Sequence, residues 1–222
     1  MALQGKRLLI TSGPTRAPLD AVRFITNKAS GRLGSLIAEE AIRRGAHVTF
    51  VYGRPGEVPV VRGTRHDDLR LISVETVEDL IKVFQQELPD DYAAVIHPMA
   101  VLDFHPDAVR SSKTASQVEE WVVRLVPTPK AIALVKELAP RTFLVGFKLE
   151  VGKSVPELQA IALEFLRKNR CDLVIANDLR QIEGGQHTGY FITPDGTLAH
   201  TAVGKEAIAR ELVQFLDEQL AP

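Results

Sequence analysis

Three loops of the 222-residue chain carry the residue types that phosphate and acyl chemistry need. The first runs Ser12-Gly13-Pro14-Thr15-Arg16, then Arg23-Phe24-Ile25-Thr26-Asn27-Lys28-Ala29-Ser30-Gly31-Arg32-Leu33-Gly34. Gly31 and Gly34 permit close approach, and the free N–H groups of a helix start favour a phosphate there. Arg16, Arg23, Lys28 and Arg32 add positive charge. The same residues also fit a glycine-rich turn with solvated charges. No Gly-Lys-Ser/Thr follows, so this is not a Walker A loop.

The second loop is His97-Pro98-Met99-Ala100-Val101-Leu102-Asp103-Phe104-His105. Zinc wants three or four placed ligands with supporting partners, which His97, Asp103 and His105 do not obviously supply. Asp103 suits ribose hydroxyls or magnesium, which takes few protein oxygens and keeps phosphates and waters. The third set is cationic: Lys113, Lys130, Lys148 and Lys168. Surface lysines are ordinarily solvated, but Lys148 interrupts an apolar strand at its carboxyl end. Asn177-Asp178 stands at a similar strand end. Cys171 has no activating base beside it and reads as a small inert residue.

These loops need a scaffold, and the composition describes one. Lys+Arg 27 against Asp+Glu 28 gives a net charge of −1, with 45% hydrophobic and 25% charged residues. That balance suits a globular chain and offers no positive field for nucleic acid or a membrane surface. One cysteine excludes a disulfide framework and fits a reducing cytoplasm. No apolar run approaches the ~20 residues of a membrane span. The start, Met-Ala-Leu-Gln-Gly-Lys-Arg, reads as leading into a strand rather than as a signal peptide.

Strands are predicted at 7–11, 47–52, 69–74, 92–97, 121–126, 143–148 and 173–176, with a hairpin of 190–193 and 198–200. Helices are predicted from Ser30 as N-cap to a stop at Gly45, and over 77–88, 156–169 and 205 onward. A further helix is expected with Thr128 as cap and Pro129 at its first position. The alternation predicts an α/β fold: a Rossmann-like, mostly parallel sheet with helices on both faces and a C-terminal hairpin. The whole of 1–222 reads as one domain. Residues 98–117 have no period, which in a compact chain points to a functional or mobile loop. A dinucleotide enzyme would want Gly-x-Gly-x-x-Gly and an acid after the second strand. Tyr52-Gly53-Arg54 supplies no acid, although an Arg suits a 2′-phosphate, and no Tyr-x-x-x-Lys occurs. An NADP-dependent reductase and a non-catalytic nucleotide-binding module remain open on these grounds.

Taken together, several segments resemble the phosphopantothenoylcysteine synthetase family. They are Ile10 to Arg16, Asp20 to Asn27, Ser30 to Gly34, Arg44 to Thr49, Ala100-Val101 and Asp103-Phe104. Thr128-Pro129-Lys130, Val145 to Leu149 and Ala176 to Leu179 complete the series. The resemblance runs from about 6 to about 193 and suggests the monofunctional bacterial form, without a decarboxylase domain. It implies a ligase in coenzyme A biosynthesis that joins 4′-phosphopantothenate and cysteine through an acyl cytidylate. CTP and Mg2+ are the implied co-substrate and ion, and a homodimer the implied assembly, with about 104–127 as a flexible loop and dimerisation segment. By resemblance Asn27 polarises the acyl carbonyl, and Ser30, Gly31 and Gly34 shape the phosphate-binding turn. Ala100, Asp103, Pro129, Lys130, Ala131, Ile132, Phe147 and Lys168 match nucleotide-site positions. A catalytic lysine on the loop after Asp103 is matched by Lys113, or by Arg110 in another alignment. The family's Ser-Ser-Gly is Ala29-Ser30-Gly31 here, and a family lysine is Glu164.

Overall fold

The computed structural model describes residues 2–61, 68–117 and 119–221. The chain runs β1 (Arg7–Ser12), a hairpin of β2 (Arg16–Pro18) and β3 (Phe24–Thr26), α1 (Arg32–Arg43), β4 (His47–Gly53), β5 (Leu69–Val74), α2 (Val77–Glu87) and β6 (Ala94–His97). A second small hairpin, β7 (Phe104–Pro106) with β8 (Leu125–Pro127), precedes α3 (Ala131–Leu138), β9 (Phe143–Glu150), α4 (Val155–Asn169), β10 (Leu173–Asp178) and α5 (Leu179–Glu183). The hairpin β11 (Thr188–Ile192) and β12 (Leu198–Val203) and helix α6 (Lys205–Gln219) follow.

Eight strands form one sheet in the order β12-β11-β10-β9-β6-β1-β4-β5. Strands β5, β4, β1, β6, β9 and β10 are parallel, and at one edge β11 pairs antiparallel with both β10 and β12. The β1 run is buried on both faces, so its side chains divide by parity. Leu8 and Ile10 join Phe50, Val145 and Ile175 under α1 and α6, against Ile37, Ala41, Leu212 and Leu216. Leu9 joins Val51, Val95, Leu144 and Val174 on the other face, under Leu80 and Phe84 of α2, Val135 of α3 and Leu158 of α4. The expected Rossmann-like sheet, covered on both faces, is what forms. Chain order reverses between β1 and β6. Such a switch point leaves a crevice at the strands' carboxyl ends, where ligands of this architecture bind.

Both ends of the chain reach the opposite side. The Leu3 amide donates to Asp217 of α6 at 2.8 Å, and Arg44 pairs with the same carboxylate at 3.6 Å.

Three boundaries differ from the sequence reading, each for a local reason. The α1 N-cap is Gly31, at φ 80, rather than Ser30. That left-handed turn suits glycine, and the Ser30 carbonyl instead accepts from Glu57 N at 2.8 Å. Thr128 does not cap α3, whose N-cap is Lys130. The Thr128 hydroxyl donates instead to the Leu102 carbonyl, and Thr128 N donates to the Asp103 carbonyl at 2.9 Å. Of the strand expected at 121–126, only Leu125–Pro127 forms, paired with Phe104–Pro106. Trp121 lies outside it, with the guanidiniums of Arg23 and Arg110 over its ring at 5.5 and 5.2 Å.

Candidate active site

The loops leaving β1 and β6 cross at the switch point and bind each other. Ala100 N donates to Gly13 O at 2.9 Å and Thr15 N to Ala100 O at 3.2 Å, a one-residue parallel bridge of Pro14 with Ala100. The Thr15 hydroxyl, fully buried, accepts from Leu102 N at 2.9 Å. Asn27 completes the crossing: its side-chain amide donates to Ala100 O at 3.1 Å and Val101 O at 3.4 Å. The exposed Asn27 is thereby held on the second loop.

Beside it, the turn into α1 lies hard against the end of β1. Ser12 Oγ donates to Gly31 O at 2.9 Å. A Cβ on Gly34 would come within 2.6 Å of Ser12 Cβ, so only glycine lets helix and strand approach this closely. Ser30 Oγ accepts from Arg32 N at 3.2 Å. The α1 N-cap, Gly31, makes no side-chain cap bond to the first turn, whereas α2 is closed by a Thr76–Asp79 capping box. An uncapped helix start at a crevice is an anion-binding arrangement. Arg32 leans on Glu57 at 3.7 Å, and among the described residues Lys28 makes no ion pair.

On the other side of the crossing, Lys130 forms an ion pair and hydrogen bond with Asp103, both exposed. Lys130 also begins α3 without a side-chain cap, after Pro129. Ala131 and Ile132 put their side chains into the core, so they offer a ligand backbone rather than side chain. Phe147, on β9, is half-buried against the α1 and α6 face. Lys148 pairs with Glu150 at 2.9 Å. His97 is buried at the end of β6, its Nδ1 2.7 Å from Thr11 Oγ1, and burial pushes its pKa down to about 4. It is a neutral core imidazole. No three His, Cys, Asp or Glu side chains gather as a metal site among the described residues.

The comparisons with known proteins agree with this geometry. The model of the DNA/pantothenate metabolism flavoprotein C-terminal domain family matches residues 3–220. The chain belongs to that family. The coenzyme A biosynthesis bifunctional protein CoaBC of Thermococcus kodakarensis is 36% identical over 220 residues, 99% of this chain and 53% of that protein. The chain thus spans about half the length of the curated relatives it matches. The DNA/pantothenate metabolism flavoprotein of Streptococcus pneumoniae superposes with a TM-score of 0.85 at 33% identity, covering 97% of this chain and 99% of that one. A Cab2 mutant in complex with phosphopantothenate-cysteine has a TM-score of 0.79 at 20% identity, over 97% of this chain and 86% of the other, a likeness of fold.

In this family member Asn27 is bonded to the Ala100–Val101 backbone, the Gly31–Gly34 turn is tied to the end of β1 through Ser12, and Asp103 on the loop after β6 pairs with Lys130 at the start of α3. Lys113 lies on an exposed segment between β7 and β8. Lys168 does not join them. It sits in the last turn of α4, which runs back from the end of β9 to the start of β10, on the side of the sheet where the strands begin. Cys171 is buried there, and burial with the nearby Asp172 charge pushes its thiol up to about 12. Sequence reasoning passed over Thr15, Asp20 and Glu57. Each acts through a backbone partner distant in sequence, and no local pattern marks such a bond.

Proposed function

We propose that this chain is a phosphopantothenate–cysteine ligase that activates its acid with CTP. The observation that carries the reading is the crossing itself. Asn27 holds the loop after β6 to the loop after β1, and the α1 turn and the Asp103–Lys130 pair stand on these same two loops of a member of this family, which supports reading them as one site. A carboxylate oxygen of 4′-phosphopantothenate attacks the α-phosphorus of CTP, and pyrophosphate leaves. The cysteine amine then attacks the acyl carbon, loses its proton, and CMP leaves.

Both steps build negative charge on oxygen, which preorganised donors and cations offset. The Gly31 to Gly34 turn and Ser30 take phosphoryl oxygens. The Ala100 and Asp103 loop, with Pro129 to Ile132 and Phe147, takes the nucleoside. Asn27 polarises the acyl carbonyl during cysteine attack. Lys113 is the loop cation rather than Arg110, because Arg110 is committed to Leu19 O, Thr114 and Trp121. Among the described residues Lys113 has no such partner. Magnesium enters with the triphosphate. One exposed carboxylate, Asp103, fits an ion that takes few protein oxygens and keeps phosphates and waters. Lys168 has no place in this arrangement of one chain.

The exposed Phe24, Phe104, Leu125 and Val122 lie on the two small hairpins and the segment between β7 and β8, which supports reading 104–127 as a dimer arm. Val118 within it lies outside the described residues. Light scattering on an eluting peak should give twice the chain mass. The lone buried thiol supports a reducing, cytoplasmic setting for the enzyme.

The test is product release. Pyrophosphate should require CTP, magnesium and 4′-phosphopantothenate together, and CMP should follow only when cysteine is added. Neither product from pure protein with CTP, ATP or GTP ends the assignment.

A further inference from the structure

Asp20 stands out among groups that the reaction does not touch. It sits at the tip of the β2–β3 hairpin, at the surface of the fold, yet its side chain has 0% exposure. Four donors surround its two oxygens: Val22 N at 2.9 Å, Arg23 N at 2.8 Å, Arg23 Nη1 at 2.7 Å and Thr114 N at 3.0 Å. The first two close the hairpin turn, an ordinary task for an aspartate. The last reaches 94 residues along the chain to the segment between β7 and β8.

Thr114 is the anchor of that segment. It is 5% exposed, while residues 107–113 and 115–117 on either side are exposed. Its amide and carbonyl are both held by the β2–β3 hairpin, and its hydroxyl by Arg110 of its own segment. Its amide is on Asp20, its carbonyl accepts from Arg23 Nη1 at 3.2 Å, and its hydroxyl accepts from Arg110 Nη1 at 3.3 Å. Arg110 N donates in turn to Leu19 O at 3.1 Å. Trp121 closes the assembly under both guanidiniums. Lys113 immediately precedes the held amide.

We propose that Asp20 is a positioning residue. Its carboxylate latches the peptide that joins Lys113 to Thr114, so that the loop cation is held ready over the crevice instead of being ordered anew at each turnover. The inference rests on the ligase reading for its catalytic half and on the structure alone for its latch. Ordering a free loop costs conformational entropy for every residue fixed. Misplacing a catalytic group by about 1 Å costs rate even when the chemistry is intact.

The test compares wild type with Asp20→Asn. The amide keeps one oxygen for the two turn N–H groups but sets an N–H donor against both Thr114 N–H and the Arg23 guanidinium, which opens the latch and spares the turn. Hydrogen exchange read by mass spectrometry on peptides covering 111–117 should speed up by about tenfold to a hundredfold, the loss of one hydrogen bond to a charged group. In the pyrophosphate assay kcat should fall at least about tenfold while KM for CTP moves less than about threefold, the pattern of an interaction realised in the transition state. Should Asp20→Asn fail to fold, Thr114→Pro removes the latch donor from the other side and leaves Asp20 and its turn intact; the same kcat loss is expected. Unchanged exchange overturns the latch, whatever the rate. Faster exchange with kcat within about twofold of wild type overturns the positioning role. A wild type that releases no pyrophosphate with any nucleotide ends the ligase reading and the positioning role together, and exchange alone then decides the latch.

Discussion

Gly34→Ala is the substitution whose cost can be worked most directly from the structure. Gly34 is the third residue of α1, and a Cβ there would meet Ser12 Oγ well inside contact distance and Ser12 Cβ at 2.6 Å. Ser12 is 1% exposed and bonded to Gly31 O, so it has nowhere to move. Forcing extra volume into such a site costs about 1–3 kcal/mol. Alanine regains about 0.5–1 kcal/mol over glycine inside a helix. With both close atoms rigid, the cost lies at the top of its range, leaving a net loss of about 2 kcal/mol. In a chain of this size that lowers Tm by about 4–8 °C. Because the clash lies between the β1 end and the α1 start, KM for CTP should also rise.

The assay is a double-mutant cycle in thermal or denaturant melts. Ser12→Gly removes both clashing atoms at its own cost of a hydrogen bond and some strand stability. The double variant Ser12→Gly/Gly34→Ala should therefore be more stable than the two losses added, by at least about 1 kcal/mol. Losses that add to within about 0.5 kcal/mol would refute the packing argument.

Asn27→Asp should still release pyrophosphate but transfer the acyl group to cysteine about 10²–10³-fold more slowly, the usual cost of a lost oxyanion donor. Rapid-quench measurement of the two half-reactions checks it, and equal loss in both would remove Asn27 from the second step. Lys113→Ala should depress pyrophosphate release without lowering Tm, whereas Arg110→Ala should lower Tm first, because Arg110 is spent on Thr114 and Trp121. Acid should destabilise the fold through Asp20 and Asp178. Backbone N–H donors, from Thr114 to Asp20 and from Lys153 to Asp178, hold both carboxyls below the ordinary carboxylate range. The unfolded chain then takes up protons first, so their stabilisation is full above about pH 5 and is lost as pH falls toward the folded values. Melts from pH 7 to 3 should show a shallower decline in Asp178→Asn. Cys171, with its thiol pushed up to about 12, should resist alkylation at pH 8 in the native protein and react once unfolded.

The sheet was legible because its strands are short runs of Leu, Ile and Val broken by glycine and proline, and a buried parallel strand needs little else. Much of the crevice was legible for the same reason: Ser12-Gly13-Pro14 and His97-Pro98 mark strand ends, and ligands of this architecture bind there. The two small hairpins were not. Arg16–Pro18 and Phe104–Pro106 are three residues long and carry Arg, His and Pro, so no period of two can show. The Thr128 cap failed because both polar groups of Thr128 are spent on the loop after β6, its hydroxyl on the Leu102 carbonyl and its amide on the Asp103 carbonyl, and no local pattern marks those bonds. Asp20 closes a turn, an ordinary task for an aspartate. Its second task depends on Thr114, whose neighbours carry no signal beyond polarity.

The bond between Leu3 and Asp217 has a topological consequence. It brings the two chain ends together on the flank where strands begin, across the full height of the sheet from the loops after β1 and β6. The same closeness makes the chain a candidate for circular permutation, with a short linker across the old ends and a new opening at the Pro194-Asp195-Gly196 turn.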